Sequence, residues 1–171
     1  METTSSSFEK IIQTQGKLVY TNTGSSMWPL LRQHRDLLII GPPPEGRLRM
    51  WDVPLYIRDN DPRGKHVLHR ILWVRKHDYI ICGDNQWRPE TGITDRHIIG
   101  VLESVNRDGR LIPVRPTATH PHVPLAYRAY VFVWCAFFPI RSLLVLAWYV
   151  VRYKWRLLGN PYKKTSTNKK P

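Results

Sequence analysis

Short apolar runs separated by turn-forming residues fill most of the first two thirds of the chain. Residues 17–20, 36–40, 53–57, 66–74, 79–82, 98–105 and 110–114 read as strands. Pro54 marks the third of these as an edge or bulged strand. A tight polar turn joins 66–74 to 79–82 and predicts a hairpin. Asp108-Gly109 predicts a second one between the last two strands. Residues 42–44, 60–64 and 86–97 are rich in Pro, Gly or charge and read as loops or turns. Two short helices are expected: 8–15 with Ser7 as N-cap, and 27–32, whose first turn tolerates Pro29. The fold class expected is mainly β, built from short antiparallel strands, followed by a hydrophobic helix.

That helix comes from a sharp change of pattern. Residues 117–124 form a Pro-rich linker. The next 22-residue stretch, 130–151, holds a single charge, Arg141. Twelve of its residues are Val, Leu, Ile or Phe. At about −0.3 to −0.6 kcal/mol each they outweigh the roughly +2.5 to +3.5 kcal/mol of one central arginine. About 20 residues suffice to cross the hydrocarbon. Trp148, Tyr149, Tyr153 and Trp155 stand where an aromatic belt would lie, and a lysine- and arginine-rich tail follows. Arg141 and Arg152 project from nearly the same helical face, which also fits a helix lying in the interface or one broken at Pro139. A long helix buried against the β domain is the third alternative. The organisation expected is a polar segment or short helix over 1–16, a β domain over 17–116, the linker, a hydrophobic segment over 125–158 and a basic tail over 159–171.

Composition sharpens the choice of partner. Twenty-six Lys and Arg face thirteen Asp and Glu, a net charge of +13. This excess draws the chain toward anionic surfaces. A membrane is favoured over nucleic acid, because the basic residues concentrate after the apolar segment and no RNA- or DNA-reading motif is visible. Hydrophobic residues at 42% and charged residues at 23% are enough for a packed core. The first fifteen residues lack the charged and apolar regions of a secretory signal. Cys82 and Cys135 are expected as free thiols. No Cys/His spacing marks a zinc site.

Three fragments carry candidate chemistry. Ser26, in Gly24-Ser25-Ser26-Met27-Trp28-Pro29, puts a hydroxyl at a turn where backbone N–H groups can face a developing oxyanion. Read alone, the local sequence favours a cap on the short helix. His69, in Leu68-His69-Arg70, puts an imidazole in an apolar strand, and its ordinary pKa suits proton transfer near neutrality. Asp84, in Gly83-Asp84-Asn85, stands directly after the next strand, within reach of the imidazole if the two strands pair. Glu90 and Asp95 are rival acids. Hydroxyl, imidazole and carboxylate are the groups a serine hydrolase brings together.

Ser26-Met27-Trp28-Pro29-Leu30 resembles the nucleophile box of type I signal peptidases. Arg35-Asp36-Leu37-Leu38, Trp51-Asp52-Val53, Gly83-Asp84-Asn85 and Asp95-Arg96-His97-Ile98-Ile99-Gly100 resemble that family's further boxes, in the family's order. His69-Arg70-Ile71 is similar to the endoplasmic-reticulum and archaeal branch, where histidine replaces the bacterial lysine. The resemblance covers roughly residues 18–106. It implies a β-rich serine endopeptidase that works at a membrane and cleaves exported precursors through an acyl-enzyme without a cofactor. It makes Ser26 the nucleophile, His69 the base and Asp84 the acid, with a second family acid falling near Glu90. The chain departs from the pattern at Gly24, where a serine usually helps the oxyanion hole, in lacking an N-terminal anchor, and in carrying its apolar segment at the C-terminus. A C-terminal anchor without a signal places the peptidase in the cytosol, whereas the positive tail favours a domain outside. Interfacial attachment from the cytosolic side removes that conflict. The alternatives are a self-processing peptidase and an inactive membrane-bound scaffold with a peptidase fold.

Overall fold

The computed structural model describes residues 7–59 and 64–157. The chain divides into two compact units, Met1–Ala136 and Phe137–Pro171. The first is mostly antiparallel β, two sheets forming a curled half-barrel.

Helix α1 (Ser7–Gln15) leads into β1 (Leu18–Thr21), β2 (Leu37–Gly41), β3 (Pro54–Ile57) and β4 (His66–Leu68). A second run follows: β5 (Arg70–Val74), β6 (Tyr79–Cys82), β7 (Glu90–Ile93), β8 (Ile98–Arg107) and β9 (Arg110–Pro113). The larger sheet runs β1-β2-β8-β3-β4, with β9 also on β8; the smaller runs β5-β6-β7. Every pairing is antiparallel. Strand β8 is the spine, pairing with β2 along one side and with β3 and then β9 along the other. Register shifts at Ile39/Ile40 and Leu55/Tyr56 interrupt the ladders and bend the sheet, which is how a flat ribbon becomes a trough. Ile12, Leu18, Met27, Leu31, Leu38, Ile40, Leu55 and Leu102 fill its concave side. A second core, including Tyr56, Ile71, Tyr79, Ile81 and Val101, binds the small sheet to the large one.

Several expectations change. The single strand expected over 66–74 is two, because the chain leaves one sheet and enters the other at His69. Beyond that point Ile71 exchanges backbone hydrogen bonds with the 51–52 turn, at 2.8 and 2.9 Å, so β5 cannot continue along β3. Pro54 opens an interior strand rather than an edge, where its missing N–H falls at the strand's first residue, and the bulge expected as the other possibility follows it in the register shift at Leu55/Tyr56. The 86–97 loop contains β7 and a short 3-10 turn, Asp95–His97. The helix expected over 27–32 is a series of turns. Its polar groups go elsewhere: Arg32 N–H donates to Asp36 Oδ2 at 2.7 Å, and Leu30 O accepts from Arg107 at 2.7 Å. Asp108-Gly109 turns with φ 54 and 81, the two left-handed residues of a type I′ hairpin. Residues 60–63 of the expected 60–64 turn lie outside the described residues.

The apolar segment is split. Helix α2 (Leu125–Ala136) belongs to the first unit and α3 (Phe138–Leu157) to the second. Pro139 explains the restart, since its missing N–H is tolerated only in the first turn of a helix. Among the described residues no single helix is long and apolar enough to cross a membrane; the two pass that test only as a pair.

Candidate active site

Three strand ends and one loop meet at the mouth of the trough. Ser26 lies in the turns after β1, half-buried. His69 lies between β4 and β5 with only 2% of its surface exposed. Both line a cleft of about 320 Å³ whose walls come from β1 with its following loop and from β4 with its flanks, and whose floor includes Leu38, Ile40 and Leu55. Among the described residues, strands β1 and β4 each pair on one side only, so the cleft runs between two edges of the curled sheet.

Gly83 lets the parts approach. A Cβ there would lie 2.6 Å from Ser26 O and 3.1 Å from Nε2 of His69. Nothing larger than hydrogen fits at that point, and the Nε2 edge of the imidazole faces it. Asn85 N–H donates to Ser26 O at 2.7 Å and its side chain donates to Ser25 O at 3.3 Å, so the loop after β6 clamps the serine loop. On the other flank, Asp36 is fully buried and gripped by Arg107 through bonds of 2.6 and 2.8 Å. Burial pushes the Asp36 carboxyl up, but bonds from Arg107 and Arg32 outweigh it and hold it below its ordinary value.

The acid that holds the imidazole is Glu90. Its Oε1 is 3.1 Å from His69 Nδ1. Tyr56 O–H donates to Glu90 Oε2 at 3.2 Å and also stands 3.2 Å from Nδ1. Arg58 donates twice to the same carboxylate, both times at 2.6 Å. Burial alone would raise the Glu90 carboxyl; hydrogen bonds from His69 and Arg58 outweigh it and hold the pKa at about 2. Burial and the Glu90 charge push the Tyr56 phenol up, so it stays a donor. The network assigns the ring proton to Nδ1, which leaves the Nε2 lone pair toward Gly83 and the serine loop.

Asp84, expected on the imidazole, is elsewhere. Arg70 forks onto its carboxylate at 2.8 and 2.7 Å, and both side chains are almost wholly buried. Burial works against the Arg70 charge, yet Asp84 and the Tyr127 hydroxyl raise its pKa above the usual arginine value. Helix α2 seals the pair: Trp134 donates to Asp84 O at 2.9 Å, and Tyr130 O–H reaches Asp84 Oδ2 at 3.4 Å. Asp84 therefore ties the Gly83–Asn85 loop to β5 and α2. Asp95 is taken by the Tyr79 hydroxyl and by Arg47 at 3.4 Å.

Among the described residues, neither the N–H nor the hydroxyl of Ser26 makes a hydrogen bond, and none joins Ser26 Oγ to His69. The capping alternative for Ser26 thus has no helix and no bond behind it. The serine and the imidazole meet as neighbours in one cleft, a separation that catalytic pairs commonly close once substrate is seated. Glu90 was expected at the imidazole only as a rival to Asp84, and Tyr56, Arg58 and Arg70 were not expected in these roles. Arg70 carried a usable signal, because an arginine in a buried strand requires an acid partner. No protein family, curated protein or solved structure matches this chain.

Proposed function

We propose that the protein is a serine endopeptidase with a signal-peptidase-like fold, acting at a membrane through Ser26, His69 and Glu90. One observation carries the reading. A serine with an unspent hydroxyl shares a cleft with a buried imidazole whose far nitrogen is held by an ionised carboxylate. Nε2 takes the proton as Ser26 Oγ attacks the substrate carbonyl, and Glu90 stabilises the imidazolium that results. The tetrahedral oxyanion falls near the uncommitted Ser26 N–H. The imidazolium then protonates the leaving amine, and water attacks the acyl-enzyme by the same relay run in reverse.

An extended peptide suits the cleft, because β1 and β4 both offer unpaired backbone to an added strand. Membrane attachment is supported by α3, where Leu143, Leu144, Val151 and Tyr153 are each about three-fifths exposed or more. The test is cleavage of a peptide library with mass-spectrometric readout, comparing the natural chain with Ser26→Ala and His69→Ala. Loss of every product in both variants, with unchanged circular dichroism, supports the reading. Products that persist in either variant end it. A natural chain that binds peptides but never cleaves them, consistent with the missing Ser26–His69 bond, would make it an inactive scaffold.

A further inference from the structure

A second cavity, of about 450 Å³, opens beside α2. Its walls are residues 49–52, residues 114–116 after β9, residues 121–123 of the linker, and the Tyr127–Val131 side of the helix. The walls are firmly held. Trp51 and Asp52 exchange backbone bonds with Ile71, and buried Arg70 donates to both Trp51 O and the Tyr127 hydroxyl at 3.2 Å. Trp51 keeps φ +77, a conformation that bulky side chains seldom adopt without surrounding support.

The lining of the cavity is basic, with Arg49, Arg115 and Arg128 against Asp52. Asp52 is its one lining acid, and that carboxylate is already spent: Oδ1 on Arg115 Nε at 3.3 Å and Oδ2 on Arg49 N–H at 2.9 Å. The side chains of Arg49 and Arg128 have no acid partner among the described residues, and His122 stands with them in the lining. Two exposed arginines, Arg49 and Arg128, in a lining that also holds Trp51 and Tyr127 suit a phosphate group.

Helix α2 says what else the ligand carries. Its inner face, Tyr127, Tyr130, Val131 and Trp134, packs on the β body or bonds to it. Its outer face shows Leu125, Phe132 and Val133 at 78, 62 and 51% exposure. Arg128 lies four residues before Phe132 and three before Val131, so it marks the line where the cavity side meets the apolar face. A free phosphate has no use for such a face. A phospholipid has both halves.

We propose that this cavity holds the phosphate of an anionic phospholipid while the acyl chains lie along the outer face of α2. This site is independent of the peptidase reading, since neither arginine lines the Ser26 cleft. Sedimentation of the full chain with phosphatidylcholine vesicles, with and without phosphatidylglycerol, tests it. Arg49→Gln with Arg128→Gln should weaken partition onto the phosphatidylglycerol vesicles about thirty-fold, the combined effect of two basic side chains at an anionic surface. Lys10→Gln with Lys76→Gln removes the same charge elsewhere and should cost less than about three-fold, because distant charges are screened. Phe132→Ser should weaken vesicle partition yet leave binding of glycerol phosphate unchanged. Equal losses in the two double variants would reduce the site to bulk charge and overturn the proposal. So would vesicle binding that ignores both the arginine pair and Phe132. Peptide turnover in detergent should stay constant throughout, which keeps failure of this site distinct from failure of the peptidase reading.

Discussion

A carboxyl whose pKa is held at about 2 is an anion at neutral pH, so Glu90 can fix the His69 tautomer there without itself titrating. Replacing it with glutamine keeps the shape and removes the charge. Glu90→Gln should lower turnover by about 10²–10⁴-fold, with a small change in KM, because the loss falls on the imidazolium-like transition state. The same residue sets an acid limb of stability. Its folded value lies below the ordinary 4.5, so the ionised form is favoured in the fold. Its contribution is whole above about pH 4.5 and disappears as pH falls through about 2. Urea unfolding across that window should show a steeper loss in the natural chain than in Glu90→Gln. Asp84 behaves differently. Asp84→Ala strands a buried guanidinium and should cost about 3–5 kcal/mol of stability. Chemical denaturation measures it, and a loss below about 1 kcal/mol would contradict the buried pairing.

At the scale of elements, the site depends on how closely the loop after β6 lies on the serine loop. Gly83→Ala places a methyl 2.6 Å from Ser26 O and against the imidazole. It should destabilise by about 1–3 kcal/mol and depress turnover beyond what that loss explains. Differential scanning calorimetry beside the peptide assay separates the two effects. The same geometry shows which parts of the site could be read in advance. Ser26 and His69 were legible from their punctuation, an exposed turn and an apolar strand, and so were the β6 strand and the Asp108-Gly109 hairpin. Glu90 was not. Strand β7 is Glu-Thr-Gly-Ile with Gly92 at φ +80, set among Pro and charge, and it becomes a strand only because β6 has an edge to offer. Local propensity cannot register such a pairing. The break at His69 was hidden for the same kind of reason: Leu68-His69-Arg70 reads as continuous strand, and the change of sheet is a tertiary event. Asp84 drew the triad role by adjacency, while the deciding fact was Arg70, buried and in need of a counter-charge.

For the whole molecule, the apolar C-terminal segment is not one piece. Helix α2 is part of the β body, its Trp134, Tyr130 and Tyr127 holding the Asp84–Arg70 pair, whereas α3 forms a unit of its own. A chain ending after Ala136 should therefore unfold near the free energy of the full chain. One ending after Pro124 should lose more than about 3 kcal/mol, the scale of a large aromatic removed from its packing. Equal stability of the two truncations would contradict the seating of α2. The hydropathy of 130–151 was legible, yet hydropathy alone cannot tell a span from a helix that spends one face on its own domain.

Glu90 holds His69 with its Nε2 edge toward Gly83 and the serine loop, and nitrogen NMR of the imidazoles reads that tautomer directly. In ¹⁵N-histidine protein, the neutral His69 ring should show a protonated Nδ1 and a bare Nε2, with the Nδ1–H proton shifted downfield. Glu90→Gln should abolish the downfield proton, and Asp84→Asn should leave it in place. A His69 protonated at Nε2, or a downfield proton that follows Asp84 instead of Glu90, would contradict the account.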